Sequence, residues 1–376
     1  MGIIITSLIV KINTQFSWIY DTLIKILETD NEEARVGTKQ PTLHDVARLA
    51  QVSHQTVSRV INNSPNVALA TRERVMNAIR SLNYRPNRAA RSLITGRSQT
   101  LQVIDFDPNY VTPIPPLITI AGEHGYHVGV SIVRQTDTIT ELHQLFDDLT
   151  SRIVDGFLLF AMDVAMDARL IKELCRGIPF IQLGANPAPE VPAVVFDQRY
   201  GMERLMNHLF ELGHQQIAEI TGLFTQNDGR VRHEVYMEMM QARGLDNSCW
   251  LEGDFTAKSG YHQTRKLLEQ KRAFTALVCG NDEMALGALH ALHEAGLRVP
   301  EDVSVVGFDD HPLGGYYEPP LTTIRQDYVE QARQSIDYLL KLIEYPETPV
   351  THLVICPELV VRQSTGPACE GSRITG

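Results

Sequence analysis

The sequence predicts a small all-α head joined to an α/β core of two doubly wound parallel-sheet lobes. Three observations predict it. A basic segment near the N-terminus has helical periodicity in short pieces. Behind it, apolar runs of 4–7 residues alternate with amphipathic stretches. These βα repeats are more numerous than one compact sheet holds comfortably.

The chain has 376 residues, 43% of them hydrophobic, and a formal net charge of −11. At roughly 100–200 residues per domain, two or three folded domains are expected. The charge is unevenly spread. Residues 39–99 hold 10 Lys/Arg against 2 Asp/Glu, and residues 100–376 hold 21 against 38. A basic module on an acidic body suits a reader of nucleic acid carrying a separate sensor. The cysteines Cys175, Cys249, Cys279, Cys356 and Cys369 are scattered with no CxxC spacing, so thiols in a reducing cytoplasm are expected rather than disulfides or zinc ligands. No cofactor is expected. Gly2–Val10 is apolar but too short to span a bilayer, and lacks the flanks of a signal peptide. No membrane partner is expected, and residues 1–38 read as a dispensable extension.

The head begins at Thr42, which caps a helix from about Leu43 to Ala50 with Val46, Ala47 and Ala50 on its inner stripe. After the turn Gln51-Val52, Ser53 caps a second helix reaching about Asn62. A third runs to about Leu82, its inner face Val75, Ala78, Ile79 and Leu82. In the second helix Val57, Val60 and Ile61 share one arc, while His54, Gln55, Ser58, Arg59 and Asn62 share another. A short helix, a turn and a polar-faced helix make a helix-turn-helix. Gln and Arg on that face match the edges of adenine and guanine. Thr56 sits beside this face, and Thr42, Ser53 and Arg88 are candidate phosphate contacts, Arg72 and Arg74 weaker ones.

In the core the expected strands are Leu101–Phe106, His127–Val133, Gly156–Ala161, Phe180–Leu183, Ala193–Phe196, Gln216–Thr221, Ala276–Cys279 and Val303–Phe308. Helices are expected over Thr140–Ile153, Gln198–Leu212, Val231–Arg243 and Glu283–Ala295. Ligands of such sheets sit beyond the carboxyl ends of the strands. That places Arg232, Phe255, Asn281, Phe308 and Asp309 at a cleft, with Asp282 as a helix cap.

The stretch 42–62 (TLHDVARLAQVSHQTVSRVIN), with 71–75 (TRERV) and 83–93 (NYRPNRAARSL), resembles the DNA-binding head of the lactose/galactose repressor family. The resemblance continues through 213–218 (GHQQIA), 252–260 (EGDFTAKSG), 281–288 (NDEMALGA), 303–310 (VSVVGFDD) and 320–326 (PLTTIRQ). It implies a periplasmic-binding-protein-like core and a homodimer that represses genes from a near-palindromic operator in double-stranded DNA. It implies that His54, Gln55 and Arg59 read the major groove. It also implies that residues 87–93 form a hinge helix, with Leu93 opening a minor-groove step. A helix that short is marginal alone, since isolated helices need about 12–15 residues, so it should fold only on DNA.

In the cleft the resemblance implies that Arg232, Asn281 and Asp309 bind sugar hydroxyls, that Phe255 stacks on a sugar ring, and that Gln326 is a weaker contact. The expected effector is a sugar, a galactoside or other disaccharide. Departures concern one wall: Gly184 follows Leu183 where galactoside binders often carry an acid, Pro113, Pro115 and Pro116 shorten a helix, and Asp105 and Asp107 replace small residues. The sugar is therefore not carried over.

The expected boundaries are 39–86 for the helix-turn-helix domain, 87–98 for hinge and linker, and 99–366 for the core, followed by a tail over 367–376. Lobe one takes 99–197 plus 327–345, and lobe two takes 198–326 plus 346–366. The tail has no leucine heptads, so no tetramer is expected. An enzyme is not expected, because no GxxxxGK, HExxH or GxSxG motif occurs. Two alternatives stay open: a sugar-binding protein of periplasmic type without DNA function, and a regulator activated by a co-repressor.

Overall fold

The computed structural model describes residues 41–61, 64–85, 97–106, 114–134, 137–151, 154–160, 168–184 and 187–369. They fall into a head and a core, divided after Arg88. Asn62, Arg88, Leu93 and the expected hinge helix lie outside the described residues.

In the head, helix α1 (Leu43–Ala50) starts at Thr42, whose Oγ1 accepts from the Asp45 amide while the Asp45 carboxylate accepts from the Thr42 amide at 2.9 Å. This reciprocal pair satisfies donors that a helix start leaves open. Gln51 takes a left-handed conformation (φ 54°) and ends the helix. Ser53 Oγ accepts from the Thr56 amide at 3.1 Å, starting α2 (His54–Ile61). After α3 (Leu69–Ser81), Tyr84 folds back. Val46, Ala47, Ala50, Val57, Val60, Val75, Ala78 and Tyr84 form the buried cluster. Arg72 of α3 donates to Ser64 O, in the loop after α2, at 2.6 Å and to Val60 O, near the end of α2, at 3.5 Å.

The first core sheet is six-stranded, in the order β2–β1–β3–β4–β5–β11, every pairing parallel. Its strands are β1 (Thr100–Asp105), β2 (His127–Ile132), β3 (Gly156–Phe160), β4 (Phe180–Leu183), β5 (Ala193–Phe196) and β11 (His352–Ile355). Successive strand residues face opposite sides. Leu158 accordingly packs with α4 (Ile114–Glu123) and α11 (Tyr328–Glu344), whereas Leu159 packs with α5 (Ile139–Ser151) and α6 (Ala168–Cys175).

The second sheet, β7–β6–β8–β9, is also parallel. It comprises β6 (Ile217–Thr221), β7 (Trp250–Glu252), β8 (Ala276–Cys279) and β9 (Ser304–Val306). Helices α7 (Gln198–Glu211) and α8 (Asn227–Ala242) cover one face, and α9 (Ala257–Glu269) and α10 (Asp282–Glu294) the other. The α9–α10 crossing is close: a Cβ on Gly287 would lie 1.9 Å from Ala257 O.

The chain crosses between lobes at Asp197, at Gln326-Asp327 and at Cys356-Pro357. β10 (Thr323–Arg325) and β12 (Glu358–Val360) pair antiparallel beside the crossings. Three sequence readings change. β11 pairs with β5, so residues 352–355 join the first lobe's sheet rather than the second lobe. Helix α8 starts at Asn227, not Val231, because Gly229 fits beneath Leu223 O where a Cβ would come within 2.6 Å. The expected tail does not begin free at 367, since the Ala368 amide donates to Leu212 O at 2.9 Å. No helix among the described residues is long and apolar enough to cross a membrane.

Candidate DNA-reading face and effector cleft

On α2, Val57 and Val60 are 0% and 2% exposed, and His54, Gln55 and Arg59 stand on the opposite, exposed face. Thr56 and Ser58 are half-buried between the two. The His44 and His54 rings approach to 5.3 Å. The Thr42 hydroxyl donates to Asp45 at 2.7 Å, and the Ser53 and Thr56 hydroxyls pair at 2.9 Å. Both residues therefore shape helix starts before they could touch a phosphate.

In the core, Arg232 of α8 is the centre of a buried polar cluster. Its Nε donates to Gln198 Oε1 at 2.9 Å and its Nη1 to Gly280 O at 2.6 Å. Its Nη2 lies 3.6 Å from the Asp309 carboxylate. Its guanidinium covers the Phe308 ring at 3.7 Å. Phe308 is 1% exposed, so it is the floor under Arg232 rather than an open wall. Gln326 Nε2 donates to Asp309 at 2.6 Å and to the Tyr328 hydroxyl at 2.9 Å, while Gln326 Oε1 accepts from Gln198 Nε2 at 2.9 Å. The cluster lies at the carboxyl ends of β8 and β9 and on two of the crossings, where ligands of such sheets bind.

Burial pushes the Asp309 carboxyl up to about 7, although Arg232 and Gln326 pull it down. Its φ of 111° is strained for a residue with a side chain. Burial, with Asp309 nearby, also holds Asp282 well above the carboxylate range. Asp282 is not the helix cap that the sequence suggested: it accepts from Thr323 Oγ1 at 2.5 Å and from the His311 amide at 2.7 Å. Asn281 is the cap, accepting from the Met284 amide at 2.9 Å, and its Nδ2 donates to Phe255 O at 3.0 Å. Phe255 has φ 65° and sets its ring over Gly222, where a Cβ would come within 1.9 Å. Beyond the cluster, burial raises Asp310, but Arg362 and Arg325, at 2.6 and 2.7 Å, outweigh it and hold that carboxyl below its usual range.

Residues 42–87 match the family described as bacterial regulatory proteins, lacI family, and residues 206–365 match a periplasmic binding protein-like domain. The chain is 35% identical over 330 residues to the HTH-type transcriptional repressor PurR of Haemophilus influenzae, covering 86% of this chain and 98% of the relative. It is 35% identical over 307 residues to the lactose operon repressor of Escherichia coli, covering 81% and 85%. The chain belongs to the lacI family. Among solved structures, the lac repressor dimer bound to operator and the anti-inducer ONPF aligns with TM-score 0.79 at 33% identity, over 87% of this chain and all of that one. A complex of the transcriptional regulator CelR with cellobiose aligns with TM-score 0.65 at 32% identity, over 86% and 99%. The relatives are repressors, which fits a regulatory protein and not an enzyme.

In this lacI-family chain four sequence-predicted cleft residues, Arg232, Phe308, Asp309 and Gln326, meet directly. Asn281 and Phe255 join each other, and reach the cluster through Gly280, which precedes Asn281 and accepts from Arg232. Gln198 and Tyr328 were missed. Their one sequence signal is position: each sits at the start of a helix where the chain crosses between lobes.

Proposed function

We propose that the chain is a cytoplasmic homodimeric repressor of carbohydrate-utilisation genes. Two heads read a near-palindromic duplex through the His54, Gln55 and Arg59 face, and a sugar in the cleft releases them. The lac repressor neighbour's operator-bound dimer supports the first part. The observation that carries the second is the Arg232–Gln198–Gln326–Asp309 network, which ties second-lobe strand ends to two crossings.

Arg232 donates and Asp309 accepts, the pairing that sugar hydroxyls use. Effector hydroxyls replace internal partners of this network and so favour one lobe arrangement over another. Only such differential affinity changes DNA occupancy. The hinge residues 87–93 carry the change to the heads.

The test is a thermal-shift screen of mono- and disaccharides on the chain and on Asp309→Asn. A sugar at 100 times its Kd stabilises by about 2.7 kcal/mol, so the parent melts higher with it and the variant does not. A shift of equal size in both proteins would remove Asp309 from the site. A sugar that binds but tightens DNA binding would make the chain a co-repressor-activated regulator instead.

A further inference from the structure

Gln331 lies in the first turn of α11, three residues after Tyr328, whose hydroxyl is part of the cleft cluster. Residues at that spacing share a helix face. Gln331 is 2% exposed, and its Nε2 donates to Val194 O at 3.2 Å. A backbone carbonyl only accepts, so this contact fixes which end of the amide is nitrogen. The other end, Oε1, is buried and has no hydrogen-bond partner among the described residues. The carbonyl it bonds belongs to Val194, which pairs with Leu183 at the end of β4; Gly184, which brings no side chain, follows Leu183. On the same strand as Val194, the Phe196 ring meets Tyr328 edge-on at 5.4 Å.

A buried carbonyl without a donor is uncommon and calls for a cause, an absent ligand among them. We propose that Gln331 is a specificity-determining residue of the effector cleft, its Oε1 accepting a hydrogen bond from an effector hydroxyl at the first-lobe wall. The proposal rests on reading the cleft as the sugar site. It narrows the effector class. The group reaching this wall is a hydrogen-bond donor and not an anion, because a carboxylate or phosphate would set oxygen against oxygen. With Asp309 accepting on the opposite side, the ligand is a polyol with free hydroxyls at both ends.

The experiment is titration calorimetry of the full-length chain with lactose, cellobiose, galactose and ribose, followed by single-deoxy analogues of each sugar that binds. Q331L removes the acceptor, and Q331M repeats the test with a more adaptable side chain should Q331L fail to fold. Binding of the parent sugar weakens roughly tenfold or more in these variants. One deoxy analogue loses a similar factor on the unaltered chain but binds the variant as well as the parent sugar does. Equal losses for every analogue, or no loss at all while D309N abolishes binding, would overturn the role of Gln331 and leave the cleft standing. If neither D309N nor Q331L changes binding, or none of the sugars binds, the cleft reading falls and this proposal with it.

Discussion

Replacing Arg232 by methionine keeps an apolar stem over Phe308 and removes the charge. It deprives Gln198 Oε1 and Gly280 O of donors at 2.9 and 2.6 Å, and Asp309 of a cation at 3.6 Å. Charged hydrogen bonds contribute about 1.5–3 kcal/mol each, and breaking a buried ion pair costs about 3–5 kcal/mol. These overlap, so about 3–5 kcal/mol in total is expected where Asp309 is ionised. Asp309 has a folded-state value of about 7, above that of an unfolded carboxyl. A raised value means that the protonated form favours the fold. That contribution is complete below the unfolded value and disappears as pH rises through about 7. At pH 6 Asp309 is mostly protonated and has little need of Arg232. At pH 8 the unaltered chain holds it ionised beside the cation, while the variant has no cation and its Asp309 titrates higher still. The destabilisation therefore grows from pH 6 to pH 8. At about 2–4 °C per kcal/mol for a domain of this scale, scanning calorimetry should show the core melting about 10 °C lower at pH 8 and roughly half as much lower at pH 6. Adding D309N to the variant removes the difference. Equal losses at both pH values, or a larger loss at pH 6, would refute the reasoning.

Two further predictions concern the head and the helix crossing. Arg59→Ala should cost about 1–3 kcal/mol of discrimination at one base pair in a duplex-selection assay, and an unchanged sequence preference would count against its groove contact. Gly287→Ala sets a Cβ 1.9 Å from Ala257 O and 2.6 Å from Tyr261 N, forcing α9 from α10. Overpacking of this kind costs about 1–3 kcal/mol, read as a lower urea midpoint with no change in slope; an unshifted midpoint would mean that the crossing has slack.

The strands Phe180–Leu183, Ala193–Phe196 and Ala276–Cys279 were legible with the ends observed, because central parallel strands are covered on both faces and read as apolar runs, interrupted here only by Gln182. The head was legible for a different reason. Thr42 and Ser53 are local caps, and the buried stripes of α1 and α2 show directly at helical spacing. β7, β10 and β12 were not legible. Each is three residues long, and the antiparallel Thr323–Arg325 pairing is with Glu358–Val360, far along the chain. β11 was missed for its half-exposed pattern at a sheet edge.

The cleft divides in the same way. Arg232, Asn281 and Asp309 lie near strand ends that periodicity locates. Gln198 belongs to the site through bonds to Arg232 and to Gln326, 34 and 128 residues away, and Tyr328 is bonded to Gln326; in sequence both look like ordinary first-turn helix residues. Asn281 and Asp282 exchange roles because both are good caps, and only the buried Thr323 hydroxyl shows why Asp282 turns inward.

The central claim is that a ligand held by the Arg232–Asp309 cluster governs the grip of α2 on DNA. The most direct measurement is fluorescence anisotropy of a selected near-palindromic duplex with the full-length chain, titrated with the sugar that binds, at several salt concentrations. Tight binding that weakens steeply with salt is expected, with release as the sugar saturates the cleft. A chain that retains no duplex at low salt, or one whose duplex occupancy stays unchanged while calorimetry shows the sugar bound, would contradict it.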